Sequence, residues 1–345
     1  MKVLVTGGTG FLGSHTVAAL VRRGHAVRLL ARSPERVAPA LAPHGSPAVE
    51  VERGDVLDHP SVEAALEGCD AVIHAANVFS TDPRRGDEML SLNVKSTELV
   101  LGAAAARGLD PIVHVSSVVA LIRGRGGEDD ETLPGEPRTP YPRSKAAADR
   151  VARAFQERGA PVVTTYPGGL YGPHDPGAGE QTQTLRGFLL NRYPLLMPGA
   201  FLPIADVRWV AEAHAALVEP GRGPRRVNMG GSRLAWDATF RLLREITGRR
   251  LPQLLPTPRW AVEASARAAD AAQRWIPVRM PFSSTSIEMC FAIPAVDDRT
   301  ARSLVGEPPP VERTLADGIL WNVRAGHLPP SAAGRLLERA EAPAR

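Results

Sequence analysis

The stretch "KVLVTGGTGFLGSH", residues 2–15, joins a short apolar run to a glycine-rich turn and then to a helical pattern. Gly7, Gly10 and Gly13 recur at three-residue spacing, and the helix is predicted to begin at Phe11. A tight turn of this kind lets the backbone approach a ligand closely, and the N-terminus of the helix attracts anions. The stretch therefore predicts a nucleotide-binding turn at the start of a βαβ unit.

Short β-rich runs alternate with helical patterns through the first 170 residues. After the opening run, further runs occupy residues 26–31, 48–52, 70–76, 111–117 and 161–167. Most of the helical patterns between them end at a glycine. Strands that alternate with helices form right-handed βαβ units around a parallel sheet. We therefore predict an α/β fold with a doubly wound parallel sheet in residues 1–170.

The pattern changes after residue 170, where a Gly/Pro-rich loop interrupts the alternation. A helix is predicted at 206–219 and a strand at 225–231, so residues 206–235 are expected to return to the sheet. The rest is predicted to form a smaller C-terminal substrate lobe, made of residues 171–205 and 236–328. This lobe is Pro-rich and irregular, and helices are predicted near 259–274, 313–325 and 331–341. Residues 329–345 are predicted to be a weakly ordered tail.

Composition indicates a soluble globular protein with a small-molecule partner. The 345 residues are 43% hydrophobic and 23% charged, and the formal net charge is +4 with scattered basic residues. This distribution argues against a nucleic-acid surface. Cys69 and Cys290 cannot build a disulfide framework, which suggests a reducing compartment. No run of about 18 apolar residues is present to span a bilayer. We predict a cytoplasmic protein without an integral membrane segment.

Oligomeric state is left open by the sequence. Ala-rich helical faces near 94–107 and 145–156 suit either a four-helix interface of a homodimer or packing on the sheet.

The second predicted strand ends in "LLARSPER", which bears on cofactor choice. A site for NAD normally has Asp or Glu at this place to bind the ribose hydroxyls. No acid occurs between Gly13 and Glu35, and Arg32 stands there with Ser33 beside it. A guanidinium group suits a 2′-phosphate dianion. The sequence therefore favours NADP(H) over NAD(H), with NAD(H) as the alternative.

Residues at the ends of the next strands complete the predicted cofactor site. Asp55, after the third strand, is expected near the adenine, and the small Ala75 and Ala76 leave room for the cofactor backbone. The whole predicted set is Gly7, Gly10, Phe11, Leu12, Gly13, Arg32, Ser33, Asp55, Val56, Ala75, Ala76, Tyr141, Lys145 and Pro167.

The segment "TPYPRSKAAADR", residues 139–150, sets Tyr141 four residues before Lys145. The chain holds only three lysines, so a lysine at this position is not explained by a generally lysine-rich composition. Residues four apart share one face of a helix, and Pro142 suits its first turn. A tyrosine hydroxyl, with an ordinary pKa of about 10, is a poor acid or base, and a nearby ammonium favours its phenolate. The pair therefore predicts proton transfer by Tyr141.

The run "VHVSS" ends the fifth strand with Ser116 and Ser117 at the edge where the cofactor is expected. Either serine alone is typical of a helix cap or a turn. Together with the glycine turn and the Tyr–Lys pair, they predict a hydroxyl that holds the substrate oxygen.

The motifs "TGGTGFLG", "NVKST", "VHVSS" and "YPRSK", in this order, resemble the extended short-chain dehydrogenase/reductase family. It is also called the NAD-dependent epimerase/dehydratase family. The resemblance covers the first 230 residues well and the remainder loosely. It implies a Rossmann-type domain, a C-terminal substrate lobe and a catalytic triad of Ser117, Tyr141 and Lys145. Asn93 matches the asparagine that supports the lysine through a water.

Two details narrow the resemblance. Dehydratases of this family carry Asp-Glu where Val118 and Val119 follow the serine, and epimerases hold NAD tightly through an acid where Arg32 stands. The pattern therefore looks most like dihydroflavonol reductase and related carbonyl reductases. Two departures leave the substrate open: "TYPGGLYGP" replaces the frequent Arg-Pro, and Trp209 replaces a frequent aspartate.

The resemblance and the motifs predict an NADP(H)-dependent oxidoreductase that interconverts a carbonyl and a secondary alcohol. The alternatives are a nucleotide-sugar epimerase with tightly bound NAD and a non-catalytic NADP(H)-sensing protein. The loop 124–137 is expected to carry solvated acids, or to act as a lid. The helix at 259–275 is expected to pack on the substrate lobe rather than lie on a membrane. His74 and His114 are expected to be packing residues, and no spacing predicts a metal site. Candidates for the substrate pocket are Tyr166, Tyr171, His174, Arg186 and Phe188.

Overall fold

A computed structural model of the protein describes residues 1–80, 82–123, 129–190, 195–251, 255–273 and 283–341. Its strands are β1 (Lys2–Thr6), β2 (Ala26–Ala31), β3 (Glu50–Arg53), β4 (Ala71–His74), β5 (Ile112–Val115), β6 (Val162–Pro167), β7 (Gly169–Tyr171), β8 (Leu195–Leu196), β9 (Phe201–Asp206), β10 (Arg225–Met229), β11 (Ser232–Ala235) and β12 (Leu255–Pro256). Its α-helices are α1 (Phe11–Arg22), α2 (Val37–Leu41), α3 (His59–Leu66), α4 (Gly86–Ala106), α5 (Pro140–Glu157), α6 (Glu180–Leu189), α7 (Val207–Ala216), α8 (Trp236–Thr247), α9 (Arg259–Gln273), α10 (Ser284–Ala292), α11 (Arg299–Val305), α12 (Val311–Arg324), α13 (Pro330–Ala333) and α14 (Arg335–Glu341).

Seven parallel strands form the main sheet in the order β10-β6-β5-β4-β1-β2-β3. The strand order reverses between β1 and β4, so a crevice opens at their carboxyl ends. The predicted α/β fold with a doubly wound sheet is confirmed. Each strand predicted in this sheet lies within two residues of the observed one, including β10.

Both faces of the sheet are buried. Leu4 and Val5 of β1 point to opposite faces, as alternation along a strand requires. Val5 joins a core with α1 and α7, whereas Leu4 joins a core with α3, α4 and α5. Ala104 of α4 and Ala152 of α5 belong to the same core as Leu4, so these alanines pack on the sheet.

A second body of structure surrounds the three-stranded sheet β11-β9-β7. Its core, here called the second core, holds Phe188, Trp236 and Phe240, together with apolar residues of α9, α10 and α12. The helices predicted at 259–274 and 313–325 are α9 and α12. The irregular region also contains α10 and α11, which the periodicity did not indicate because both are shorter than three turns. The division into two domains stays a prediction.

The predicted weakly ordered tail is largely folded instead. Residues 330–341 form α13 and α14, and Ala332 and Ala333 are buried in the core of the second body. Residues 342–345 lie outside the described residues. Within the described part of the chain, no helix has both the length and the apolar character to cross a bilayer.

Candidate active site

The turn between β1 and α1 has room only for glycine. Gly7 adopts φ +73°, and a Cβ there would lie 2.7 Å from the backbone nitrogen of Ala76. A Cβ on Gly13 would lie 2.1 Å from the carbonyl oxygen of Gly7. The backbone N–H of Gly10 closes the turn by donating to the Gly7 carbonyl at 2.9 Å. This cradle at a helix N-terminus, facing the residues after β4, fits the pyrophosphate of a dinucleotide.

The residues predicted to select the cofactor follow β2 and β3. Arg32 is exposed and makes no ion pair or hydrogen bond with the described residues, while Ser33 precedes a short 3₁₀ turn. Asp55 accepts a hydrogen bond from the Leu57 N–H at 3.0 Å, and Val56 packs against the sheet core. The structure thus brings these residues to the carboxyl edge of the sheet, next to the glycine turn.

Ser117 and Tyr141 meet at the carboxyl end of β5. Both side chains line one cavity, and the Ser117 hydroxyl is near enough to lower the pKa of Tyr141. The Ser117 Oγ itself donates to the carbonyl oxygen of Pro167 at 3.3 Å. Ser116 also lines the cavity, but its buried Oγ has no hydrogen-bond partner among the described residues and it does not affect the pKa of Tyr141. Of the two candidate serines, Ser117 is therefore the one that acts on the tyrosine.

Burial sets the protonation of Tyr141 and Lys145. It raises the pKa of Tyr141, and the Ser117 hydroxyl lowers that pKa only in part. Burial also lowers the pKa of Lys145 to about 8, although the negative charge of Asp149 raises that pKa in part. The Lys145 Nζ donates to the carbonyl oxygen of Val115 at 3.0 Å. The phenol is consequently protonated at neutral pH. The expected lowering of its pKa by the Lys145 ammonium is not seen among the described residues.

Asn93 lies close to this group but does not contact it directly. Its side chain donates to the Val78 carbonyl at 3.0 Å and to the Ser144 Oγ at 3.1 Å, and it accepts from the Val78 N–H at 2.8 Å. It therefore ties the segment after β4 to the residue before Lys145. Its support of the lysine through a water stays a prediction.

A cavity of about 380 Å³ connects the glycine turn with the second core. Ser117, Tyr141 and Lys145 lie in its wall. Among the described residues that line it, only Lys145 and Glu180 carry charge. The far end is apolar and includes Phe79, Met197, Leu202, Trp236, Ile287, Met289 and Ile293.

Only one of the five predicted pocket residues lines this cavity. Tyr171 does so, whereas Tyr166 is fully buried and donates to the Asp149 carboxylate at 2.9 Å. Phe188 packs edge to face against Trp236, with ring centroids 4.9 Å apart. These predictions failed because the face on which a side chain lies depends on tertiary packing.

The remaining two pocket predictions were also wrong. His174 lies beside His44 and Trp321, and Arg186 donates to Gln183 at 3.3 Å. Trp209 is buried and donates to the Gly306 carbonyl at 2.9 Å, so this departure from the family pattern lies outside the cavity wall.

Residues that the sequence did not indicate form much of the wall. The Phe79 ring meets the Tyr141 ring edge to face at 4.4 Å. Ser286, Ile287, Met289 and Cys290 of α10 line the same cavity, more than 140 residues downstream of Tyr141. The one signal for α10 was its run of mostly uncharged residues, which has no pattern specific to a binding site.

The loop between Ser117 and Tyr141 is only partly described, since residues 124–128 lie outside the described residues. Asp130 accepts hydrogen bonds from the Asn228 N–H at 2.8 Å and from the Thr300 hydroxyl at 2.5 Å. This acid is therefore bound to protein groups, which corrects the expectation of a solvated side chain.

The buried histidines of the sheet make protein contacts. His74 and His114 stack with centroids 6.0 Å apart, and the His74 Nδ1 lies 2.8 Å from the Thr6 Oγ1. In the described residues, no group of three or more His, Cys, Asp or Glu side chains has a geometry that could hold a metal ion.

Comparison with known proteins agrees with this geometry. The family model described as "NAD dependent epimerase/dehydratase family" matches residues 3–230. The chain is 32% identical over 333 residues to sterol demethylase protein B of Methylococcus capsulatus, which covers 93% of this chain and 98% of that protein. It is 27% identical over 260 residues to a putative dihydroflavonol 4-reductase of Synechocystis, covering 72% of this chain and 73% of that protein.

A solved structure shows the same architecture. The nucleoside-diphosphate-sugar epimerase of Pseudomonas aeruginosa superposes with a TM-score of 0.73 at 25% identity, covering 95% of this chain and 99% of the other.

Proposed function

This chain belongs to the NAD-dependent epimerase/dehydratase family, and we propose that it is an NADP(H)-dependent oxidoreductase interconverting a carbonyl and a secondary alcohol. The observation that carries the proposal is that Ser117, Tyr141 and Lys145 lie together in the wall of one cavity. Two hydroxyl groups in that wall suit one substrate oxygen better than they suit a purely structural contact.

The chain offers a complete set of groups for the cofactor. Gly7, Gly10 and Gly13 would hold the pyrophosphate, and Arg32 with Ser33 would hold the 2′-phosphate. The other predicted contacts are Phe11, Leu12, Asp55, Val56, Ala75, Ala76, Tyr141, Lys145 and Pro167. The bound cofactor would supply hydride to the substrate carbon or accept it.

Side chains of the protein would transfer the proton to the substrate oxygen. Tyr141, protonated at neutral pH, donates its proton to the carbonyl oxygen in the direction of reduction. Ser117 donates a hydrogen bond that holds this oxygen, and Lys145 adds positive charge, which favours the phenolate that remains.

We propose further that the substrate is uncharged and largely apolar. A nucleoside diphosphate would bring two negative phosphates into a cavity whose charged lining residues, in the described part, are Lys145 and Glu180. Lys145 is buried and already donates to Val115, and burying an unpaired phosphate is costly. Two of the relatives are named for a sterol and a dihydroflavonol, both bulky ring compounds.

The runner-up is a nucleotide-sugar epimerase with tightly bound NAD. The structural likeness to a nucleoside-diphosphate-sugar epimerase favours it. The apolar cavity and Arg32 argue against it. A third reading, a non-catalytic NADP(H) sensor, does not explain why the serine and the tyrosine lie together in the cavity wall.

The test starts with the nucleotide that the purified protein carries. The stripped protein is then titrated with NADPH and NADH in parallel, and turnover is measured with uncharged ring ketones and with UDP-sugars. We expect an empty protein, tighter binding of NADPH, and reduction of ring ketones. Retained NAD with isomerisation of a UDP-sugar would establish the epimerase instead, and binding without any turnover would favour the sensor.

A further inference from the structure

A carboxylate from the second core binds the start of the helix that carries Tyr141. Glu288 lies on α10, and its side chain is only 8% exposed. Its Oε1 accepts from the backbone N–H of Arg138 at 2.9 Å, and its Oε2 accepts from the backbone N–H of Thr139 at 2.8 Å. The Thr139 hydroxyl donates to the same Oε2 at 2.7 Å. These groups are about 150 residues apart in the chain, so only the fold brings them together.

The start of α5 has few other anchors. Thr139 is the N-cap residue, but its side chain accepts no hydrogen bond from the helix, because its hydroxyl turns to Glu288. Pro140 and Pro142 have no N–H, so the first turn offers few backbone donors of its own. A negative charge near a helix N-terminus is also favourable. Glu288 therefore fixes the segment that leads directly into Tyr141.

The same carboxylate also faces the segment after Ser117. The guanidinium of Arg123 lies 3.7 Å from the Glu288 Oε1. Arg123 follows the short 3₁₀ turn that starts immediately after Ser117. Glu288 thus lies between the chain that leaves the serine and the chain that enters the tyrosine.

The neighbours of Glu288 on α10 form the substrate end of the cavity. Ile287, Met289 and Cys290 line it together with Tyr141. A bulky substrate that fills this end would therefore contact α10, the helix whose Glu288 binds the start of α5.

We propose that Glu288 is a positioning residue that sets Tyr141 against the substrate oxygen and links its position to occupancy of the apolar end. This inference rests on the proposed function, since it concerns the proton donor of that reaction. Glu288 itself touches neither the substrate oxygen nor the cofactor site.

The test compares Glu288→Gln with Glu263→Gln in the full-length protein. Glu263 lies on the adjacent α9, has a side chain that is 34% exposed, and pairs with Arg259 at 2.7 Å. Because small displacements of a reacting group are costly, we expect Glu288→Gln to lower kcat for a ring ketone roughly 10- to 100-fold. KM and the Kd for NADPH should match those of Glu263→Gln, which should keep the wild-type kcat.

A second variant keeps the test decisive if Glu288→Gln folds poorly. Thr139→Val removes only the hydroxyl that donates to Glu288, and we expect a smaller loss of kcat at unchanged KM. The double variant should lose less than the product of the two single effects, because both changes break one contact. Multiplicative losses, or a kcat that falls only in proportion to Tm, would overturn the inference.

The outcome for the wild type separates the two proposals. Turnover by the wild type with full kcat in both variants overturns the role of Glu288 alone. If the wild type reduces no carbonyl compound, the proposed function fails and this inference fails with it.

Discussion

The two ends of the cavity are built in different ways. The end where we propose that the cofactor binds, here called the cofactor end, consists of successive β–α turns of one parallel sheet. Backbone groups such as those of Gly7 and Gly13 form its surface. The substrate end is formed by side chains from β9, α8 and α10, including Leu202, Trp236 and Ile287. The first end follows from local sequence, whereas the second exists only after distant segments have packed.

The largest effect should come where the two ends meet. Tyr141→Phe removes the hydroxyl that we propose as the proton donor, and general acid catalysis contributes roughly 10²- to 10⁴-fold. We expect kcat to fall by that factor, while the Kd for NADPH changes less than about twofold because binding at the cofactor end does not need the proton. Steady-state kinetics and fluorescence titration measure both. Full activity in this variant would exclude Tyr141 as the proton donor.

A change confined to the cofactor end should separate binding from chemistry. Gly13→Ala forces a Cβ to 2.1 Å from the Gly7 carbonyl oxygen, so the turn must move. We expect the Kd for NADPH to rise by more than about tenfold, because backbone approach to the phosphates is lost. Gly102→Ala is the control, since its Cβ would lie 3.5 Å from the Phe155 ring in ordinary contact. Equal affinity in the two variants would mean that the turn does not bind the cofactor.

Arg32→Ala should change cofactor choice rather than activity as such. A charge-assisted hydrogen bond contributes about 1.5–3 kcal/mol, so the preference for NADPH over NADH should fall roughly 10- to 150-fold. Parallel titrations give the ratio of the two Kd values. Arg267→Ala, at an exposed site on α9, should leave that ratio unchanged. If Arg32→Ala leaves it unchanged as well, the guanidinium does not bind the 2′-phosphate.

Acid should destabilise the core around the main sheet, where His214 of α7 is buried. His214 is fully buried beside Thr165, and burial lowers its pKa to about 3. The unfolded chain has a pKa near 6.5, so it binds the extra proton first as the pH falls. Keeping this histidine neutral therefore costs no free energy of unfolding above about pH 6.5. As the pH falls towards about 3, the free energy of unfolding decreases, by about 2 kcal/mol per such histidine at pH 5.

Urea unfolding at pH 7 and pH 5 measures this loss. His214→Gln should lower stability at pH 7 but reduce the loss on acidification, because one titrating group is absent. The same replacement of His59, whose side chain is 61% exposed, is the control. An unchanged pH dependence in His214→Gln would contradict a buried neutral histidine at this site.

Much of the cofactor end could be predicted from the sequence. The strand runs from residues 2–6 to 161–167 were placed within two residues, and the glycine spacing identified the turn. Tyr141 and Lys145 were recognised because four-residue spacing on a helix has a fixed geometry. The family resemblance already pointed to Ser117 rather than Ser116, and in the structure it is Ser117 that affects the pKa of Tyr141.

The substrate end could not be predicted in the same way. Tyr166 and Phe188 were expected in the pocket, but the buried Tyr166 hydroxyl donates to Asp149 and the buried Phe188 ring packs against Trp236. α10 carries no local signal for a binding site, and the contact from Glu288 to Thr139 spans about 150 residues.

By itself, the sequence determined the order of the main-sheet strands, the glycine turn, and the spacing of Tyr141 and Lys145. These features follow from short-range geometry, which a few neighbouring residues specify. The tertiary structure alone decided which side chains wall the cavity and which carboxylate holds the start of α5. These contacts join segments far apart in the chain, and their formation depends on packing and burial rather than on any local pattern.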